Sequence, residues 1–484
     1  MRSRKMKVLN GLEPAGVFRF FEELCAIPHG SRNTKAISDY LVAFAKERGL
    51  EHYQDELNNV IIIVPATAGY ENSKPVIIQG HMDMVCEKAP DCTKDMAREG
   101  LDLAVEGDNV FAKGTTLGAD DGIAVAMALA LIDADNIPHP RLEAVITVDE
   151  EVGMDGAMGI DLSPLQGRML INLDSEAEGI FTVGCAGGAC VKCIMPVKRK
   201  DFSGTAPELS LTGLLGGHSG AEIDKGRANP NMLMGRLLYA ISKETEVRLI
   251  SVSGGLKDNA IPTASYAKII VADEAAALAV CDKLQAQFKD EYRVTDPSVS
   301  LSVKASGESA AAMDSATTGK VICMLCCLPN GIQEMSADIP GLVQTSLNLG
   351  ILTTDEGAVC ASFSVRSNID SQKRMMMDRL HCLTEQIGGY VEVSGDYPGW
   401  AYNPDSPLRE LMVEVFKEQY GHAPSIEAMH AGLECGLFSD KLPGLDCVSI
   451  GPDIDEIHTF REKLHIASTQ RTWALVTETL KRLK

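Results

Sequence analysis

Five separate segments of this chain carry residue types that would hold metal ions if folding brought them together. They are His81 and Asp83 in Gly80-His81-Met82-Asp83, Asp120 in Gly118-Ala119-Asp120-Asp121, Glu150 and Glu151 in Asp149-Glu150-Glu151-Val152-Gly153, Asp174 after the run 169–173, and His458 at the end of 451–458. His81 and Asp83 stand two apart, so on a strand both would point to one face. A metal-bound imidazole needs a partner for its other ring nitrogen, and Asp83 suits that task. Asp120, Glu151 and Asp174 are hard oxygen donors for divalent ions. Glu150 cannot reach the same ion as its neighbour from a regular strand, which frees it to act as a general base. With His458 as the second imidazole, each of two ions has one nitrogen and its own carboxylate around a shared Asp, a role for which Asp121 competes with Asp120. Two ions roughly 3.5–4 Å apart acidify a bridging water and polarise a carbonyl. A lone His-x-Asp pair is commonly structural; five ligand-type residues gathered by strand ends are a functional constellation.

The elements around these residues explain how they could meet. Runs 60–64, 75–79, 142–148 and 169–173 are β-like, and the last three lead directly into polar clusters. Helical patterns lie between them: 31–50, with Ile37, Leu41 and Phe44 on one face, and the apolar stretch 122–134, with Asp121 suited to its first turn. This alternation predicts an α/β domain with a mostly parallel sheet flanked by helices, and ligands then gather beyond the carboxyl ends of its strands. From about Cys185 the texture changes to β-runs and helices of an α+β unit, and near 395–407 the chain turns rich in Gly, Pro and aromatics before α/β character resumes. The expected organisation is a catalytic domain of residues 1–186 and 396–484 interrupted by an inserted α+β domain, 187–395.

Composition narrows the function classes. The 45 basic residues face 67 acidic ones, a net charge of −22, which disfavours nucleic acid and anionic membranes as partners. The longest apolar run, 123–132, is half the roughly 20 residues a spanning helix needs. The basic N-terminus (Arg2, Arg4, Lys5, Lys7) is followed by Asn10, Glu13 and Glu22 rather than an apolar h-region, so a cytoplasmic protein is expected. Fourteen cysteines in a chain of this length are expected to be buried, reduced thiols, including the Cys190/Cys193 and Cys323/Cys326 pairs.

The segments 80–85, 116–122, 149–156 and 172–176 together resemble the co-catalytic zinc dipeptidases. His430-Ala431-Gly432-Leu433-Glu434-Cys435-Gly436 and the 397–400 run narrow the resemblance to the aminoacyl-histidine dipeptidases. The resemblance implies a zinc-peptidase-like catalytic domain with an inserted lid that also carries homodimer contacts. It implies that Asp120, rather than Asp121, bridges two zinc ions, with His81 and Asp174 completing one site and Glu151 and His458 the other. Glu150 is then the general base and Asp83 the residue that orients His81. It further implies that His218, in Gly216-Gly217-His218-Ser219-Gly220, helps bind the substrate carboxylate or the oxyanion, and that Asn259 and Arg366 hold the substrate's C-terminal carboxylate. The family usually continues after its last His with Ser-Pro and an acid; here Thr459-Phe460-Arg461-Glu462 follows. The expected activity is hydrolysis of Xaa-His, β-alanyl-histidine and other dipeptides with two divalent ions, zinc foremost and manganese or cobalt as alternatives. Other readings are an amidohydrolase or tripeptidase of related fold acting on N-acyl amino acids or tripeptides, and a non-catalytic small-molecule binding protein.

Overall fold

Five consecutive β-branched residues such as Val60-Ile61-Ile62-Ile63-Val64 make a strand that needs cover on both faces. In the computed structural model, which describes residues 8–305 and 309–484, that strand is buried at every position, as are Val76–His81 and Leu142–Thr147. The chain divides into two units. The first comprises residues up to Gly184, Tyr402–Ala428 and Leu433–Lys484; the second comprises Cys185–Ala401 and Met429–Gly432. The sequence pattern put the cuts at 186/187 and 395/396 and did not anticipate the short return of Met429–Gly432.

The first unit is built on an eight-stranded sheet. Its order is Glu51–Gln54, Val60–Val64, Leu142–Thr147, Val76–His81, Met169–Asn172, Asp446–Ser449, Ile180–Cys185, Ser425–Met429. The four central strands, from Leu142–Thr147 to Asp446–Ser449, run parallel. Around this parallel core, flanked by helices as expected, Glu51–Gln54, Val60–Val64 and Ile180–Cys185 join antiparallel, so the full sheet is mixed. The physical reason is connection length. Residues 55–59 form a tight return, pinned by the Asp55 carboxylate accepting from Leu57 N and Asn59 N, and so short a link permits only an antiparallel partner.

The helix Ala119–Asp133 is buried from Ala119 to Leu131, which accounts for its apolar residues on all sides. It lies against the helix Ala15–Cys25 and the strand Val76–His81. A separate four-stranded sheet ties the C-terminal region to the N-terminal one: Ile454–Asp455, Lys463–His465, Asn109–Ala112 and Leu103–Glu106. Its first two strands form a hairpin whose loop contains His458. Among the described residues no helix is long and apolar enough to cross a membrane.

The second unit has a nine-stranded sheet whose pairs run antiparallel, accompanied by the helices Pro230–Glu244, Glu274–Glu291, Ser315–Cys327 and Asp370–Gln386. Leu237, Leu249, Leu284, Val321, Phe363 and Leu380 share its core. All fourteen cysteines are free, as expected, but not all are buried: Cys193 is, whereas Cys326 and Cys327 are exposed near the end of the helix Ser315–Cys327. That helix carries its core side chains on Val321, Met324 and Leu325, which turns the last two thiols outward.

At Gly80 the central strand and the buried helix approach closely. A Cβ there would lie 2.6 Å from Ala124 Cβ and 2.5 Å from Asp121 Oδ2. Gly80→Ala is expected to destabilise the protein by about 1–3 kcal/mol through overpacking. The urea midpoint measures this, and an unchanged midpoint would mean that strand and helix part freely.

Candidate metal centre

The parallel strands place the acidic residues. Each of the four central strands ends at the same edge of the sheet, so the residues that follow them converge. His81 is the last residue of Val76–His81; Glu150 and Glu151 follow Leu142–Thr147; Asp174 follows Met169–Asn172; His458 lies beyond Asp446–Ser449. Asp120 comes from the first turn of Ala119–Asp133, where Asp120 and Asp121 have non-helical dihedrals and share a cis peptide.

Asp120 lies between the two imidazoles. Its Oδ1 is 3.2 Å from His81 Nε2 and its Oδ2 3.1 Å from His458 Nε2. Asp174 Oδ1 is 3.3 Å from His81 Nε2, and Glu151 Oε2 is 3.0 Å from His458 Nε2. His81, Asp120 and Glu151 offer donor atoms within 4.8 Å of one another, as do His81, Asp121 and Asp174. Asp121 also turns Oδ2 to the backbone N–H of His81 at 3.1 Å, a bond that holds the end of the strand.

Asp83 does not share a strand face with His81, because the strand stops at His81 and Asp83 lies past it. Its backbone carbonyl is 3.0 Å from His81 Nδ1 and its carboxylate 3.5 Å away, so both groups fix the ring. The carboxylate also accepts from Ser31 Oγ at 2.8 Å and from the backbone N–H of Glu150 at 3.2 Å. It therefore links the imidazole to the residue expected to move the proton. Asp149, with φ 56°, turns the chain just before Glu150.

Negative charge is concentrated here. Burial pushes the carboxyls of Asp174, Glu176 and Glu434 up to about 7, with neighbouring carboxylates adding to the shift. Burial likewise raises Glu150 well above the ordinary range, assisted by Asp174, Glu434 and Glu151. Hydrogen bonds to Asp120 and Glu151 raise His458 to about 10. Burial opposes ionisation of Asp120, yet the hydrogen bonds of His458 and His81 outweigh it and hold that carboxyl well below its usual range. Glu151 Oε1 is buried with no hydrogen-bond partner. Two imidazole nitrogens, several acidic oxygens and one orphaned carboxylate oxygen fit divalent cations, which would replace the protons these groups otherwise retain.

Two supporting residues were not recognised from sequence. Ser31 precedes the second helix and reads as a possible cap, but its hydroxyl serves Asp83. Glu434, fully buried, receives hydrogen bonds from Gln79 Nε2 at 2.6 Å and Thr147 Oγ1 at 2.7 Å, and Asn172 Nδ2 donates to Gln79. An acid in the apolar stretch Leu433 to Phe438 was the available signal.

Within the second unit, the structure brings His218, Asn259 and Arg366 into one neighbourhood. Gly217 and His218 pair with Ile261 and Ala260, and Ser219 N donates to the Asn259 carbonyl at 2.9 Å. His218 Nδ1 accepts from the backbone N–H of Gly220 and Ala221, which leaves Nε2 to carry the proton of the neutral ring. Burial and Arg366 both lower the pKa of His218. Arg366 is buried with Nε unpartnered, and its other end donates to Tyr397 Oη at 3.4 Å. A Cβ on Gly220 would lie 2.4 Å from the His430 carbonyl, 3.1 Å from His218 and 3.3 Å from Arg366, so only glycine fits between them. His430, joined to Ser346 Oγ at 2.7 Å, is held down to about 3 by burial and by Arg366. A buried guanidinium beside neutral imidazoles can receive a carboxylate.

The motif resemblance extends over the whole chain. The chain is 38% identical over 482 residues to the cytosol non-specific dipeptidase of Escherichia coli (strain K12), covering 99% of each protein. The crystal structure of the aminoacylhistidine dipeptidase from Vibrio alginolyticus superposes with a TM-score of 0.93 at 36% identity, covering 99% of both chains. The aminopeptidase PepT from Bacillus cereus ATCC 10987 shares the fold, with a TM-score of 0.57 at 18% identity over 98% of this chain and 99% of its own. Residues 77–482 match the model of peptidase family M20/M25/M40, and the chain belongs to that family.

Proposed function

We propose that this chain is a metal-dependent dipeptidase. His81 and Asp174 would hold one divalent ion, His458 and Glu151 the other, with Asp120 shared; zinc is foremost, with manganese or cobalt as alternatives. The observation that carries this reading is the Asp120 carboxylate, one oxygen facing each imidazole at 3.2 and 3.1 Å. Ions bound there would polarise a scissile carbonyl and make an attacking water more acidic.

The remaining work belongs to protein groups. Glu150, raised by burial, takes the proton of the attacking water and passes it to the leaving amine. Asp83 keeps His81 in one tautomer and steadies Glu150 through its backbone N–H. Arg366 and Asn259 receive the substrate's C-terminal carboxylate, and His218 donates from Nε2 to the developing oxyanion. The second unit, on this reading, is a lid that also pairs two copies in a cytoplasmic homodimer. The relatives' names support dipeptides as substrates, and one of them, named for aminoacylhistidine, supports Xaa-His peptides among them. Zinc-loaded protein assayed on β-alanyl-histidine, other dipeptides, tripeptides and N-acyl amino acids tests this; turnover confined to the last two classes would refute it.

Glu150→Gln should retain two metal ions by elemental analysis while turnover falls about 10²–10⁴-fold, because the amide cannot accept a proton. Loss of metal in this variant and not in Glu151→Gln would reverse the two roles. His218→Ala should lower turnover with metal content unchanged. Mixing His218→Ala with Glu150→Gln protein asks whether the donor crosses between subunits: recovered activity means that it does, and verified heterodimers without recovery confine it to its own chain.

A further inference from the structure

A helix leaves its first four amides without intrahelical acceptors, and a non-helical first turn deepens the deficit. The helix Ala119–Asp133 begins in this way: Gly118 is left-handed at φ 67°, and Asp120 and Asp121 depart from helical dihedrals. Glu462 supplies acceptors for four consecutive amides, 117 to 120, that lead into this turn. Its Oε2 accepts from Leu117 N at 2.7 Å and Gly118 N at 3.1 Å, and its Oε1 from Ala119 N at 2.8 Å and Asp120 N at 3.4 Å. The residue is 2% exposed. All four partners are N–H donors, and the two side-chain oxygens of Glu462 accept from all of them.

Glu462 stands four residues after His458, where the hairpin re-enters the strand Lys463–His465. The His458 loop needs such an anchor. Whereas the side chain of His81 is 1% exposed, that of His458 is 47% exposed, and both Glu456 (φ 51°) and His458 (φ 59°) are left-handed. Within the loop, Thr459 Oγ1 donates to the Glu456 carbonyl, and Arg461 pairs with the Glu456 carboxylate; these bonds shape the loop without aiming it. The four bonds of Glu462 reach across 342–345 residues of sequence to the turn that bears Asp120.

We propose that Glu462 is a positioning residue whose carboxylate locks the Asp120 turn to the His458 hairpin, so that both metal-facing groups are preset for the ions. The proposal rests on the ligand roles assigned above. It makes the acid that follows Thr459-Phe460-Arg461 part of the metal centre, although it touches no ion.

The test is Zn²⁺ affinity of the full-length apo-protein, measured by competition with a chromophoric chelator. Glu462→Gln keeps the shape but turns an NH₂ toward two of the four amides; Glu462→Asp keeps the charge but is one methylene too short to span them. Both should weaken Zn²⁺ binding by roughly 10–100-fold, and added zinc should restore activity, since every ligand remains. Thermal unfolding of the metal-free protein reports folding separately. Asp120→Asn and His458→Ala serve as controls: if they leave Zn²⁺ affinity unchanged, the ligand assignment itself fails. If they weaken it while both folded Glu462 variants bind with wild-type affinity, positioning by Glu462 is overturned. Failure of both Glu462 variants to fold would also overturn it, by making Glu462 a folding residue.

Discussion

The crowding of carboxylates at one edge of a buried sheet is the constraint on which the rest of this structure depends. Among Asp120, Glu150, Glu151, Asp174, Glu176 and Glu434, burial and neighbouring carboxylates push Asp174, Glu176 and Glu434 up to about 7 and raise Glu150 well above its ordinary range. Folding would not assemble such a cluster for stability, since each buried charge costs free energy unless something positive compensates it. Two imidazoles offset part of the charge, and divalent ions held there would complete the balance. The parallel strands, the buried helix and the long-range hydrogen bonds can all be understood as the means of holding that charge in place.

This explains which parts of the site were legible from sequence. The order of strand, then acid or imidazole, recurs for His81, Glu151 and Asp174, and parallel strands deliver such residues to one edge whatever the loops do. An acid just before an apolar helix sits in its first turn, which pointed to the pair Asp120 and Asp121; the choice of Asp120 came from the family resemblance. The mixed character of the sheet was less visible, because Glu51–Gln54 is polar and largely exposed and does not read as a strand. Asp83 was assigned the right neighbour through the wrong geometry. The strand ends two residues early, and the backbone carbonyl of Asp83 shares the imidazole with its carboxylate.

What sequence could not reveal is contact between distant segments. Ser31 serves Asp83, Gln79 and Thr147 serve Glu434, and Glu462 serves the Asp120 turn; none of these pairs is implied by local spacing. Each involves a polar group whose own neighbourhood in the chain suggests an ordinary role, such as a cap, a strand residue or a surface acid. In the second unit, His218 and Arg366 likewise share the space around Gly220 only because the short pairing of Gly217–His218 with Ala260–Ile261 and the strand Ala358–Ser367 bring them there.

The two halves of the metal centre thus differ in how they are built. The His81 and Asp174 side is anchored by the sheet, with both residues buried and the imidazole held through Nδ1 by Asp83. The His458 and Glu151 side is carried on loops, with a half-exposed imidazole on a left-handed residue. A site anchored by strands has its geometry before any ion arrives, whereas one carried on loops pays an ordering cost unless other bonds prepay it. Asp120 belongs to both sides, so its placement decides whether the loop side inherits the rigidity of the sheet. Buried hydrogen bonds to its turn extend the ordered scaffold to the exposed imidazole.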